Sequence, residues 1–170
     1  MLEPGYTGFF VIFKRQKLIL IHMKRFILTA ILCAFTSFAF CQDITLKAGT
    51  EATYLIAKGP DQKYMLTLVT SKTVDGMIDR DSDFLKDKVD SNQVKIAFGM
   101  GKFGDKTTTL LIIKSGLPRS LKYSAKIKYA GRSRFVNTDV NMIISNVKSM
   151  EIWQNDISEI MLSDFEEGSL

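Results

Sequence analysis

The sequence predicts an all-β protein: an antiparallel β-sandwich of immunoglobulin-like type with about seven to nine strands, preceded by a signal peptide. Three observations support this fold class. Several stretches alternate apolar and polar residues with a period of two, which is typical of strands. Short clusters of turn-forming residues separate these stretches. No long stretch shows the periodicity of an amphipathic helix.

The alternation is clearest in Leu121–Tyr129, where apolar residues alternate with lysine and serine. Successive side chains of a strand point to opposite faces, so this pattern predicts one apolar and one polar face. The residue Ile127 is then expected in the core, between two solvent-facing lysines. Similar patterns, or a high content of β-branched and aromatic residues, predict strands over residues 53–57, 64–70, 94–101, 107–113, 150–153 and 157–165.

The links between these strands contain glycine, proline, asparagine or aspartate at residues 59–61, 104–105, 115–118 and 154–156. Such short links favour antiparallel neighbours, because a parallel crossover needs a dozen or more residues. One helical turn is predicted over residues 82–89, after a serine or aspartate cap. Gly99 and Gly101 lie inside a strand pattern, where glycine indicates a bulge or a close approach of another backbone.

The N-terminal region predicts export. Residues 23–25 are Met-Lys-Arg, residues 26–38 are almost entirely apolar, and the small residues Ser37, Ala39 and Cys41 lie at and just after the end of this apolar segment. This order of charge, apolar segment and small residues is typical of a secretory signal peptide over residues 23–41. Residues 1–22 are interpreted as an upstream extension produced by a start assigned too early, with an uncleaved N-terminal anchor as the alternative.

Cleavage before Gln42 is preferred, which leaves residues 42–170 as a single periplasmic or secreted domain; cleavage after Ala39 is the alternative. Lipidation of Cys41 is disfavoured, because the preceding residue, Phe40, is large. The apolar pieces before Met23 are too short to span a membrane. No transmembrane segment is predicted in the mature chain.

The basic character of the chain belongs mainly to its N-terminal region. Five of the 23 lysines and arginines lie in residues 1–41, together with only one of the 18 acidic residues. The remaining chain is close to neutral, so its net charge gives no reason to expect nucleic-acid binding. The single histidine and both cysteines also lie in residues 1–41, which excludes histidine-based triads and thiol catalysis from the mature domain.

The densest polar cluster is a possible calcium site. Asp79, Asp81, Asp83, Asp87 and Asp90 fall at positions 1, 3, 5, 9 and 12 of a calcium-loop spacing. The glycine required at position 6 is replaced by Phe84, and no flanking helices are expected. A sandwich loop can still hold calcium through clustered oxygens, so these aspartates are candidate ligands. The interleaved Arg80, Lys86 and Lys88 favour the alternative, a solvated loop with offsetting charges.

Two further features have a structural and a functional interpretation. Lys122, Lys126 and Lys128 lie along one face of a strand, either as an anion-binding surface or, the favoured interpretation, as a solvent-facing strand. Trp153 could stack on a sugar if exposed, but packing against the core is favoured because large aromatics dominate core burial.

The predicted function is an exported, non-enzymatic binding or structural module of the bacterial cell envelope, with a protein or glycan as partner. A calcium-stabilised adhesion module is the first alternative. The second is a small glycan hydrolase that uses two carboxylates among Asp75, Asp156, Glu159 and Asp164. Nothing in the sequence places two of these acids across a cleft.

Overall fold

The computed structural model describes residues 43–168, which form nine strands in two antiparallel sheets and one helical turn. Sheet 1 contains β1 (Ile44–Lys47), β6 (Leu121–Tyr129), β7 (Val136–Thr138) and β9 (Ile157–Glu167). Sheet 2 contains β2 (Thr50–Lys58), β3 (Tyr64–Thr73), β4 (Gln93–Phe103), β5 (Lys106–Ser115) and β8 (Lys148–Trp153). The predicted extension over residues 1–22 and the signal peptide over residues 23–41 lie outside the described residues.

The strand order is β1-β9-β6-β7 in sheet 1 and β3-β2-β4-β5-β8 in sheet 2. The β2–β3 and β4–β5 links form the expected antiparallel hairpins. The expectation of paired neighbours is wrong for the links at residues 115–118 and 154–156, which carry the chain from one sheet to the other. A short link can cross a two-layer structure because facing sheets are only about 10 Å apart.

The two sheets share one hydrophobic core, which is consistent with a β-sandwich. Sheet 2 contributes apolar side chains from β2, β3, β4 and β5, and sheet 1 contributes them from β1, β6 and β9. The largest buried side chains of this core include Phe98, Phe165, Leu66, Leu121 and Ile127. Burial of such side chains is the main source of stability in a domain without disulfides.

Sheet 1 follows the predicted alternation. Ile127 is only 2% exposed, and Lys126 beside it is exposed. Tyr123 and Tyr129 pack against the core from the same strand. Each of the other predicted strands is also present, whereas the sequence patterns missed β1 and β7, which are only four and three residues long.

The outer face of sheet 2 is partly covered by another segment of the chain. Residues 74–92, which we call the cover segment, lie between β3 and β4 and pack on the outer face of this sheet. The predicted helical turn is present there as α1 (Asp83–Lys86), although Ser82 makes no side-chain capping hydrogen bond. Leu85 of α1 is fully buried with Ala97, Leu110 and Ile112 in a second, smaller core.

The two glycines of β4 permit the close backbone approach that the sequence indicated. A Cβ atom on Gly99 would lie 2.6 Å from the backbone nitrogen of Gly49, and one on Gly101 would lie 2.8 Å from the carbonyl oxygen of Ile78. The Ile78 N–H donates to the Met100 carbonyl at 2.6 Å. Any side chain at these two glycines would therefore displace neighbouring backbone.

Within residues 43–168, no helix has both the length and the apolar composition needed to cross a lipid bilayer.

Candidate functional site

Strand β3 forms one edge of sheet 2 and is the most exposed long strand among the described residues. Its last seven residues are exposed, including Leu68 at 53% and Val69 at 47%. No residue from Tyr64 to Ser71 carries a charge. A long, uncharged edge strand of this kind is a template for pairing with another strand.

The backbone of β3 has hydrogen-bonding groups directed away from the sheet. Ile56 of β2 donates its N–H to Asn92 at 2.8 Å, on the β4 side, and its cross-strand partner in β3 is Leu66. Hydrogen-bonded and non-hydrogen-bonded pairs alternate in an antiparallel ladder. Leu66, and by the same alternation Tyr64 and Leu68, therefore direct their N–H and C=O groups toward the outer edge.

A β-bulge interrupts β3 after this segment. The register with β2 changes from Tyr54↔Leu68 to Thr53↔Thr70, so Val69 has no cross-strand partner. A bulge bends and twists the strand that contains it. The regular part of the edge is consequently the segment from Tyr64 to Leu68, which we call the open segment; within it Thr67 and Leu68 are exposed, and Leu66 is 2% exposed.

Ion pairs hold the chain at both ends of β3. Lys63 donates to Asp164 of β9 at 2.8 Å, and this hydrogen bond raises the pKa of Lys63 and lowers that of Asp164. Asp164 has a positive φ of 53°, a conformation that aspartate tolerates better than most residues. At the other end, Lys72 pairs at 2.8 Å with the carboxylate of Glu51, which is only 4% exposed.

The other sheet edges are short or shielded. Strands β1 and β7 are four and three residues long. Residues 139–147 are tied to β8, because Glu151 accepts hydrogen bonds from the backbone and side-chain nitrogens of Asn141 at 2.6 and 3.2 Å. Ser149 accepts a further bond from the Ile144 N–H at 3.1 Å. Short strands and covering loops are the usual protection of sheet edges.

The five candidate calcium ligands lie in the cover segment, and their side chains have separate roles. Asp79 accepts the Asp81 N–H at 2.9 Å, which forms a turn within the loop. Asp81 accepts a hydrogen bond from Lys148 at 3.2 Å, and this bond lowers its pKa. Asp83 lies 3.9 Å from Lys86, and Asp87 lies 3.6 Å from Lys95.

The fifth aspartate, Asp90, contributes its backbone carbonyl to a turn with Gln93. Within residues 43–168, no three side chains of the histidine, cysteine, aspartate and glutamate types lie close enough together to hold a metal ion. Calcium stabilisation through these five aspartates is untested and remains the alternative, not the favoured interpretation.

Lysines from sheet 2 hold the cover segment in place, which sequence reasoning missed. The Lys114 ammonium donates to the carbonyls of Leu85, Lys86 and Asp87 at 3.0, 3.3 and 2.9 Å, at the C-terminal end of α1. Lys95, which is 9% exposed, donates to the Phe84 carbonyl at 2.9 Å and lies over the Phe84 ring. Lys148 of β8 reaches the Arg80 carbonyl at 2.9 Å. The sequence carries one sign of this role: Lys95 and Lys114 alternate with apolar residues, which places them on the face of sheet 2 opposite the main core.

Trp153 packs against the core, as the favoured interpretation predicted. It is partly buried, and its indole N–H donates to the Thr138 hydroxyl at 3.2 Å. The lysine face of β6 also follows the favoured interpretation in part: Lys122 and Lys126 are exposed. Lys128 is paired with Glu159 and lies over the Phe135 ring.

Two of the four carboxylates considered for glycan hydrolysis are engaged in ion pairs. Glu159 is engaged with Lys128, and Asp164 with Lys63. Asp164 also lines a polar trough of about 410 Å³ on sheet 1, together with Asp139, Lys126 and Ser124. Tyr123 contributes to the same trough, and burial raises its pKa well above the usual range. The hydrolase hypothesis has not been tested and stays a prediction.

Comparison of this chain with protein-family models, with curated proteins and with solved structures finds no match in any of the three.

Proposed function

We propose that the protein is an exported, non-enzymatic binding or structural module of the bacterial cell envelope, built on a sandwich of immunoglobulin-like type. Three features support this proposal. The N-terminal residues have the pattern of a signal peptide. The domain is an all-β fold with two facing sheets. The residues after position 41 include neither histidine nor cysteine.

The observation that carries the proposal is the contrast between β3 and the other edges. The open segment contains no charged residue and includes the exposed residues Thr67 and Leu68, whereas β8 is tied to residues 139–147. An added strand would satisfy the outward backbone groups of Leu68 and cover its side chain. We therefore place the binding surface of the module on β3.

Fractionation of cells that express the full chain with a C-terminal tag tests export. We expect a processed form that begins at Gln42 or near it, identified by mass spectrometry, in the periplasm or medium. A full-length form confined to the cytoplasm would refute export.

Site-specific photo-crosslinking in the same cells tests binding at β3. A photoreactive residue at Thr67, which is exposed in the open segment, is expected to give a crosslinked adduct. The matched control is the same residue at Lys126, which is exposed on the outer face of sheet 1. Equal adduct yields at the two positions, or none at Thr67, would contradict the proposed surface.

A further inference from the structure

We propose that the polar trough on sheet 1 binds one unit of a neutral saccharide, with the backbone of Tyr123 as its central contact. The trough has a volume of about 410 Å³ and lies between β6, β9 and the residues that follow β7. This site goes beyond the proposed function, which places its surface on β3 of the other sheet. Its evidence is an interrupted strand ladder, the chemistry of the lining and the size of the gap.

The ladder between β6 and the chain after β7 is interrupted at Tyr123. Leu121 exchanges both backbone hydrogen bonds with Ile143, at 2.9 and 2.8 Å, and Ala125 pairs with Thr138. Every second residue of a strand faces the same side, so Tyr123 directs its N–H and C=O groups the same way as Leu121. Among the described residues, no group forms a hydrogen bond with either of them.

The path of the loop over residues 139–147 causes this interruption. Four loop residues lie between its two pairings with β6, where β6 has three, so the two segments cannot stay in register. Within the loop, the Asn141 N–H donates to Glu151 of β8 at 2.6 Å instead of to β6. The gap beside Tyr123 is therefore built into the fold, and the trough occupies it.

A β-bulge in β9 forms the opposite wall of the trough. The register of β9 with β6 shifts between Lys122 and Ser124, and Asp164 in this shift has a positive φ of 53°. Bulges re-aim side chains and are common beside functional sites. The Asp164 carboxylate accepts hydrogen bonds from Lys63 at 2.8 Å and from Ser163 at 3.0 Å, which fixes the wall in place.

The unpaired backbone groups of Tyr123 point to a ligand. This residue is partly buried, and its ring packs against the core and stacks on Phe165 with ring centroids 5.7 Å apart. The backbone of Tyr123, rather than its ring, is consequently the part that faces the trough. Folded proteins pair nearly all of their buried N–H and C=O groups, and an exception calls for a ligand or a water molecule.

The chemistry of the lining selects a neutral ligand with several hydroxyl groups. Lys126 and Asp139 contribute opposite charges and Asn137 a neutral amide, which favours neither an anion nor a cation. A hydroxyl group both donates and accepts, so adjacent hydroxyls of a sugar can accept from the Tyr123 N–H and donate to its C=O. A single trans amide cannot do both, because its N–H and C=O point in opposite directions.

The size of the gap favours a saccharide unit over a peptide strand. The gap spans one outward-facing residue of β6, because Leu121 and Ala125 on either side are already paired. A peptide that adds to a sheet edge needs a run of free backbone groups. The volume of about 410 Å³ lies within the range of roughly 300 to 1,000 Å³ that small-molecule sites occupy.

NMR titration of the protein, expressed in an exporting host and purified in the form that the host produces, tests binding. Glucose, galactose and mannose are the probes, each added to about 100 mM, because a small ligand in an open site binds with a Kd of about 1 to 10 mM. We expect at least one of them to shift the amide resonances of Tyr123 and Asp139 but not that of Thr67 in β3. Inorganic phosphate at the same concentration should leave all three unchanged.

Two variants test the lining. Asn137→Ala and Asp139→Ala should each weaken saccharide binding at least about threefold, since each removes a hydrogen-bonding group of the trough. Both residues are exposed, so the fold should be retained, which thermal melts check. The matched control is Lys122→Ala, which is exposed on the same face of β6 but outside the trough and should bind like the unchanged protein.

Hydrogen exchange without ligand tests the interrupted ladder itself. The amide of Tyr123 should exchange faster than that of Ala125, which pairs with Thr138. Equal protection of these two amides would overturn the proposal. So would an unchanged Tyr123 resonance with all three sugars, a shift caused by phosphate, or equal weakening of binding by Lys122→Ala and the two trough variants.

The proposed function and the saccharide site fail separately. Photo-crosslinking at Thr67 reports protein adducts on β3, and a negative result there leaves binding in the trough unaffected. A saccharide in the trough also leaves that experiment intact, because the yield at its Lys126 control is counted as protein adducts. Absence of sugar binding would refute the saccharide site alone.

Discussion

The centre of sheet 2 is covered by another segment of the chain, whereas its β3 edge is not paired with a further strand. At the centre, the cover segment buries the outer face of β4 and β5, with Leu85 fully enclosed and Lys114 bound to three of the segment's carbonyls. Along β3, Leu68 and Val69 are about half exposed. The same sheet thus contains a shielded region and a region suited to pairing.

Apolar side chains are exposed at both edges of sheet 2, at Leu68 and Val69 of β3 and at Ile144, Val147 and Ile152 near β8. The two edges differ in their hydrogen bonds: the loop of residues 139–147 is bonded to β8, whereas no described strand pairs with β3 on the side opposite β2. Exposed apolar edges carry a risk of aggregation, and natural proteins usually block them. An edge left open beside shielded neighbours favours a binding role.

The largest expected effect concerns the core that both regions share. Ile127→Ala should lower the free energy of unfolding by about 2 to 5 kcal/mol, because Ile127 is 2% exposed and its truncation leaves a cavity. Lys126→Ala is the matched control, and it should change stability by no more than about 0.5 kcal/mol. Denaturant melts measure both, and a larger effect at Lys126 would contradict the register of β6.

A leucine pair compares the two regions of sheet 2 directly. Leu85→Ala should cost about 2 to 3 kcal/mol, at the lower end for buried leucines because a loop can partly collapse into the cavity. Leu68→Ala should cost less than about 1 kcal/mol in dilute solution, since this side chain is already half exposed. Similar costs at the two positions would remove the distinction between shielded centre and open edge.

The lysine contacts of the cover segment give a smaller effect. Lys114→Met keeps an extended side chain but removes the donor to three carbonyls, and should cost about 1 to 3 kcal/mol. Lys126→Met, on the exposed face of sheet 1, is the control and should be nearly neutral. An unchanged melt for Lys114→Met would show that water replaces the ammonium without cost.

Calcium is expected to have the smallest effect. Asp81 and Asp87 lie beside Lys148 and Lys95, and the aspartate side chains do not converge. Melts with millimolar calcium and with chelator should therefore coincide. A rise in melting temperature with calcium would instead support the calcium-stabilised alternative, since a ligand of the native state stabilises it by mass action.

The parts of the fold that depend on local pattern could be predicted from the sequence. The alternation in β6 identified Ile127 as buried and Lys126 as exposed, because one face of sheet 1 meets solvent. In β4, by contrast, the alternation predicts a buried Val94 and an exposed Lys95, but both residues are buried. Lys95 is buried by a segment whose position depends on tertiary packing, which a period of two cannot reveal.

The candidate site could be predicted only in part, for a similar reason. The uncharged composition of β3 is visible in the sequence, but its place at an edge depends on sheet order. A central strand and an edge strand can share the same composition, and only the pairing of β2 with both β3 and β4 shows which one is open. Strands β1 and β7 were missed because three or four residues carry too little pattern.

Amide hydrogen exchange tests the central claim most directly, because it reports whether the outward N–H groups of β3 are free of hydrogen bonds. The amide of Leu68, a residue that is 53% exposed, should exchange faster than that of Thr67, which alternates with it and faces β2. Equal protection of the Leu68 and Thr67 amides would contradict an unpaired edge at this part of β3.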